Sequence, residues 1–178
     1  MVGEMTDAER QTYLDAREEF ITRWGVMGTQ WGINRTMAQV HALLMTAPDT
    51  MSTDEVMEAL EISRGNAHTS LKELVGWGLL RIITKKGERK EFFEAEKDVW
   101  KIFQAVAKER KRREIDPALQ VLEACANETK GLKGNDVEVF NKQMNDLAEF
   151  VTLFSNMGDK AANMAQSRAM QMALKIMS

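Results

Sequence analysis

Apolar residues recur at helical spacing from the start of the chain. Leu14, Arg17, Phe20, Ile21, Trp24, Met27 and Trp31 define one broad stripe, opened by a capping-box pattern at Thr6 to Glu9 and closed at Gly32. Asn34 caps a second predicted helix that runs to about Ala47, where Pro48 ends it. Another capping box, Ser52 to Glu55, starts a short helix with Val56, Met57 and Leu60 inward. Ser63 caps the next helix, whose inward residues are Ala67, Leu71, Leu74 and Val75 and whose stop is Gly78. Only Glu61-Ile62 separates these two helices, so the pattern predicts a steep helix-turn-helix.

The period changes after Gly78. Leu-Leu-Arg-Ile-Ile-Thr from Leu79 and Glu-Phe-Phe-Glu-Ala ending at Ala95 flank a polar stretch around Gly87, which predicts a two-stranded hairpin, or wing. A helix is then expected from Asp98 to about Arg113, with Val99, Ile102, Phe103 and Val106 inward, and a new one at Asp116-Pro117. Gly131 to Asn135 reads as a linker. Beyond it Val137, Phe140, Met144, Leu147, Val151 and Phe154 alternate 3 and 4 apart, a seam that requires a partner helix. Gly158-Asp159 is expected to break it before a last helix carrying Met164, Met170, Met172 and Ile176. The expected fold is mainly α with a small β-wing, with an N-terminal dimerisation helix over 1–32, a winged helix-turn-helix over 33–97 and a helical dimerisation region over 98–178.

Composition narrows the class. With 44% hydrophobic and 29% charged residues the chain has the make-up of a globular protein rather than a disordered one. One cysteine, Cys125, and two histidines are too few for a disulfide framework or a clustered zinc site, so no metal and no cofactor are expected. Cys125 and His41 read as packing residues. No apolar run approaches the ~20 residues of a membrane span and the N-terminus lacks a secretory pattern, so a cytoplasmic setting is expected.

Net charge is −3, yet seven cations and two anions between Ser63 and Lys90 make that segment +5. Concentrating positive charge on one face of an acidic chain favours phosphate there and repels it elsewhere. On the helix after Ser63 the apolar face leaves Arg64, Asn66, His68, Thr69 and Lys72 outward, side chains suited to base edges and phosphates. In the wing, Lys85, Lys86, Arg89 and Lys90 surround Gly87, with Arg89 the candidate for a minor groove. The run Lys108 to Arg113 lies near a helix C-terminus, where cations are favoured by the helix dipole, and reads as a solvated helix face. No phosphate loop, paired-histidine helix or nucleophile elbow is present, so an enzyme is not expected.

The run from Ser52-Thr53-Asp54-Glu55-Val56 through Ile62-Ser63-Arg64-Gly65-Asn66 to Trp77-Gly78-Leu79-Leu80 resembles the MarR type of winged-helix regulator. Ile-Ser-Arg-Gly-Asn-Ala, Gly-Glu-Arg-Lys-Glu-Phe-Phe and Ala-Glu-Lys-Asp-Val-Trp are most similar to its glycine-betaine-synthesis-regulator (GbsR) branch. The resemblance is specific from about Gly32 to Trp100. It implies a homodimeric repressor that binds a double-stranded DNA operator, in some members with a quaternary ammonium effector. Trp24, Trp31, Trp100 and Phe103 are the candidate aromatic cage for such a cation. Phe20 and the Val137 to Phe154 seam are the candidate dimer contacts. The alternative is a winged-helix module that binds another protein and no operator.

Overall fold

The computed structural model describes residues 5–165. The chain divides into two compact units, Met1–Lys97 and Asp98–Ser178.

In the first unit, α1 (Asp7–Gln30) opens on the Thr6/Glu9 capping box, and α2 (Arg35–Met45) opens on Asn34, whose side chain accepts from the Met37 N–H. Helix α1 ends in a Schellman motif: Gly32 takes φ 74°, its N–H donates to Thr29 O and the Ile33 N–H to Gly28 O. The two helices touch where α1 has no side chains. A Cβ on Gly28 would lie 2.6 Å from the Ala38 Cβ, and one on Gly25 would lie 2.6 Å from the Gln39 Cγ. The buried face of α1 is therefore Ile21, Gly25 and Gly28, and Arg17 reaches α2 by donating to Thr46 Oγ1 and Leu43 O. The expected stripe is shortened at both ends, since Leu14 and Trp31 are 44% and 54% exposed. At about 1.5 Å per residue, α1 is more than twice the length of α2 and overhangs it.

The core of this unit is α2, whose Met37, Ala38, Val40, Leu43 and Leu44 are buried, together with Val56, Ala67, Leu71, Leu74, Leu79 and Leu80. Helices α3 (Thr53–Leu60) and α4 (Arg64–Gly76) form the helix-turn-helix. Its turn is a second Schellman arrangement, with Glu61 at φ 52° where glycine is usual; the Ile62 N–H donates to Met57 O. Gly78 at φ 74° ends α4 in the same way.

The wing is larger than the expected hairpin. Strands β2 (Leu80–Ile83) and β3 (Phe92–Ala95) pair antiparallel with Leu80 opposite Ala95, and β1 (Met51–Ser52) adds to the other side of β3, giving the order β1-β3-β2. Two residues, the second of them the capping-box residue Ser52 itself, are too short to display a period, so β1 has no sequence signal. Helical elements thus surround one small antiparallel sheet, a winged helix-turn-helix.

The second unit holds α5 (Val99–Arg110), α6 (Asp116–Glu128) and α7 (Asn135–Ala165). The break expected at Asp116-Pro117 is absent. A π-helical turn, Lys111–Ile115, carries α5 directly into α6, and the Asp116 N–H donates to Lys111 O, five residues back. That wider turn comes just before Pro117, whose missing N–H and ring would conflict with the Arg113 carbonyl in a regular helix. Helix α7 likewise passes through Gly158. An interior glycine costs only about 1 kcal/mol, and Asp159 pairs with Lys111 at 2.6 Å. The predicted terminal segment with Met170, Met172 and Ile176 lies outside the described residues.

The 3–4 seam of α7 splits into two stripes. Val137, Met144 and Val151 are half-buried, while Phe140, Leu147 and Phe154 are exposed by 38%, 38% and 62%. Asn141, on the half-buried stripe, ties α7 to the end of α6 by accepting from the Thr129 hydroxyl.

Candidate nucleic-acid interface

Helix α4 is positioned by its ends and its apolar face. Ser63 Oγ accepts from the Asn66 N–H at 3.3 Å, fixing the start of the helix, and Ala67, Ser70, Leu71 and Leu74 are buried. Arg64, Asn66, His68, Thr69 and Lys72 are all exposed. These residues give the exposed surface of the helix, which also carries Glu73, a set of hydrogen-bonding and cationic side chains able to meet phosphates and the major-groove edges of bases.

Arg64 is not idle. Its Nη2 donates to Asp54 Oδ1 at 2.6 Å, linking the first turns of α3 and α4 across the helix-turn-helix. Both side chains remain more than half exposed.

The wing cations are also organised. Lys85 and Lys86 precede Gly87 in a tight turn closed by the Glu88 N–H donating to Lys85 O, and φ 87° at Gly87 is a conformation that favours glycine. Lys85 Nζ stands 3.9 Å from the Phe92 ring centroid and Lys90 Nζ 5.3 Å, so two cations gather about one buried aromatic ring. Hydrogen bonds from Ser52 hold the Glu55 carboxyl below its ordinary value, and the charges of Lys90 and Lys85 add to that. Lys85, Lys86, Arg89 and Lys90 are all exposed.

The other basic run is arranged differently. Arg112 and Arg113 both donate to Glu109, which is buried, and the Arg112 hydrogen bond is the main reason its carboxyl sits below the ordinary range despite desolvation. Arg110 meets Glu114 at 3.3 Å and Lys111 meets Asp159. Each of these four cations forms an ion pair within the second unit.

The aromatic candidates fall in both units. Trp24 packs against Phe20, centroids 5.4 Å apart, and faces His41 at 6.5 Å. Trp31 caps the C-terminus of α1, and Trp100 and Phe103 lie on α5, 36% and 49% exposed. A groove of about 540 Å³ between α1, α2 and α3 is lined by Leu14, Ile21, Leu43 and Leu60 with Asp15, Glu18 and Glu61; none of the four cage candidates lines it. Among the described residues no cluster of three or more His, Cys, Asp or Glu side chains could hold a metal ion. No described helix is long and apolar enough to cross a membrane.

Two parts of this surface had little sequence signal. Asp54 reads as an ordinary first-turn acid, because its partner lies ten residues on and across a turn. Phe92 reads as a strand residue, because pairing with the wing cations depends on how the loop folds back.

No protein-family profile matches the chain, and no curated protein does. Solved structures do. A crystal structure of a transcriptional regulator superposes with a TM-score of 0.70 at 17% identity, over 86% of this chain and 99% of that one. A MarR protein from Peptoclostridium difficile aligns at 11% identity over 90% and 95% of the two chains with a TM-score of 0.38. Human N-acetylserotonin methyltransferase bound to SAM aligns at 18% identity over 72% and 37% with a TM-score of 0.33. At these identities the first likeness establishes a shared fold, and the other two are too weak in superposition to bear on it.

Proposed function

We propose that this chain is a MarR-type transcriptional regulator, of the GbsR branch, that binds double-stranded DNA as a homodimer and acts as a repressor. One observation carries the reading: the exposed face of α4 bears Arg64, Asn66, His68, Thr69 and Lys72, and the same unit carries four exposed wing cations on an otherwise acidic chain. Helix α4 enters the major groove, where Arg64 and Asn66 read bases and Lys72 meets phosphate. The wing lies against the flanking backbone, with Arg89 at the minor groove.

The second unit supports dimerisation. Among the described residues after Lys97 no apolar side chain is fully buried, and Val99, Val121, Phe150, Leu153, Phe154 and Met157 each expose more than half of their surface. So little apolar burial among the described residues supports a second copy of the chain as the partner for α7. Phe140, Leu147 and Phe154 are the central contacts, with Phe20 contributing from α1.

An effector is the finer part of the proposal. A quaternary ammonium compound, received by the aromatic rings of Trp24, Trp31, Trp100 and Phe103, would release the operator. Titration with choline while following tryptophan fluorescence and DNA release tests it, and absence of saturable quenching removes it.

Footprinting on the DNA adjoining the protein's own gene tests the main reading. A pseudo-palindromic protected site with half-sites about one helical turn apart is expected. A folded protein that protects no DNA, and is instead retained by another protein, returns the module to the class of protein-binding winged helices.

A further inference from the structure

The Asp54 to Arg64 pair has no structural task large enough to explain it. Both side chains are more than half exposed, and such pairs contribute little to folding. Its position is unusual in another respect. Arg64 is the first residue of α4, a helix whose first turn holds no acid, so the cation stands at the positive end of a helix dipole. Asp54 stands in the first turn of α3, beside the surface assigned to DNA. A carboxylate there repels phosphate and lowers affinity for every duplex.

Resting on the proposed function, we infer that Asp54 is a positioning residue that sets the sequence specificity of Arg64. One guanidinium nitrogen, Nη2, donates to Asp54, and the remaining donors of the fork stay available on a side chain whose direction the pair biases. A guanine edge accepts from those donors while the pair stays intact. A phosphate off that direction is reached only by breaking the pair and placing a second anion near Asp54. The carboxylate therefore penalises promiscuous backbone contact more than base contact, and trades total affinity for discrimination.

The test uses the full-length protein and two short duplexes, one selected from a random library by the wild-type chain and one scrambled. Fluorescence anisotropy gives both affinities over a range of salt. Asp54→Ala is expected to bind the scrambled duplex roughly 3- to 10-fold more tightly, steepen its salt slope by about 0.9 for each protomer whose Arg64 gains a phosphate, and shrink the selected-to-scrambled ratio several-fold. Asp54→Glu should restore most of the ratio. In an Arg64→Ala background, Asp54→Ala should leave the ratio unchanged, because the residue it positions is gone.

A merely structural role predicts equal loss for both duplexes with an unaltered ratio, and that result overturns the inference while leaving DNA binding intact. An unaltered ratio with equal gains overturns it as well, reducing Asp54 to a general charge. A wild-type protein that binds neither duplex overturns the proposed function itself, and this inference with it. Circular dichroism on each variant separates these outcomes from misfolding, and the Asp54→Glu arm keeps the test decisive if Asp54→Ala fails to fold.

Discussion

His41 places a pH-dependent weakness in the core of the first unit. It lies on α2 with 5% exposure, its Nε2 has no hydrogen-bond partner among the described residues, and burial pushes its pKa down from 6.5 to about 4. The folded state thus holds the neutral imidazole, while the unfolded chain titrates near 6.5 and binds the proton more readily below that value. Stability is accordingly full above pH 6.5 and is lost as the pH falls toward 4, at a slope approaching 1.36 kcal/mol per pH unit. The full shift corresponds to about 3 kcal/mol, and by pH 5, before most carboxylates protonate, the loss is about 2 kcal/mol. Urea unfolding at fixed protomer concentration from pH 7.5 to 5, followed by tryptophan fluorescence, measures it. The His41→Leu variant should lose the slope and, free of an unpartnered buried nitrogen, be at least as stable as wild type at neutral pH. A flat wild-type profile over this range, or the same slope in the variant, would refute the reasoning.

Other substitutions test the packing and the interface. Gly28→Ala should destabilise by about 1 to 2 kcal/mol, because the new methyl meets the Ala38 Cβ and moving a helix outweighs the gain in helix propensity. Gly25→Ala meets the flexible side chains of Gln39 and Arg35 rather than a Cβ fixed on the facing helix, and should cost less in the same urea titration. Glu61→Gly should stabilise by about 0.5 to 1 kcal/mol by relieving its left-handed backbone; a lower urea midpoint would contradict that. Leu147→Asp combined with Phe154→Asp should give monomers by sedimentation and lose tight operator binding, and a wild-type monomer would sink the dimer. Lys72→Ala or Lys90→Ala should weaken all duplexes alike, whereas Arg64→Ala or Asn66→Ala should change base preference at about 1–3 kcal/mol per lost bidentate contact.

Local signals were the legible part of the fold. Thr6, Asn34, Ser52, Ser63 and Asp98 all accept from backbone N–H groups at helix starts, and Gly32 and Gly78 end helices at positive φ. Each depends on residues within a few positions, so sequence alone carries it. The misreadings share a cause of longer range. At Asp116-Pro117 a helix does begin, but the π turn that joins it to α5 without a side-chain cap cannot be read from spacing. Gly158 looked like a break because its cost is visible locally and the Lys111 to Asp159 pair is not. The α7 seam was legible as a pattern, but which residues turn toward α6 depends on where that helix packs. In the candidate interface, the outward residues of α4 follow from its apolar face, while the partner of Arg64 and the aromatic ring beneath Lys85 and Lys90 needed the folded wing and turn.

The central claim, that α4 and the wing bind duplex DNA, is tested most directly by the salt dependence of binding in wild type and in an Arg64→Ala, Lys72→Ala, Arg89→Ala triple variant. Anisotropy of a labelled duplex selected from a random library gives log K against log salt. Wild type should bind saturably with a steep negative slope of about 0.9 per phosphate neutralised, and the triple variant, equally folded and equally dimeric, should lose affinity and about 0.9 of slope for each phosphate contact that Lys72 and Arg89 supply in the two protomers. A flat wild-type response, or a triple variant that binds like wild type, would contradict the account.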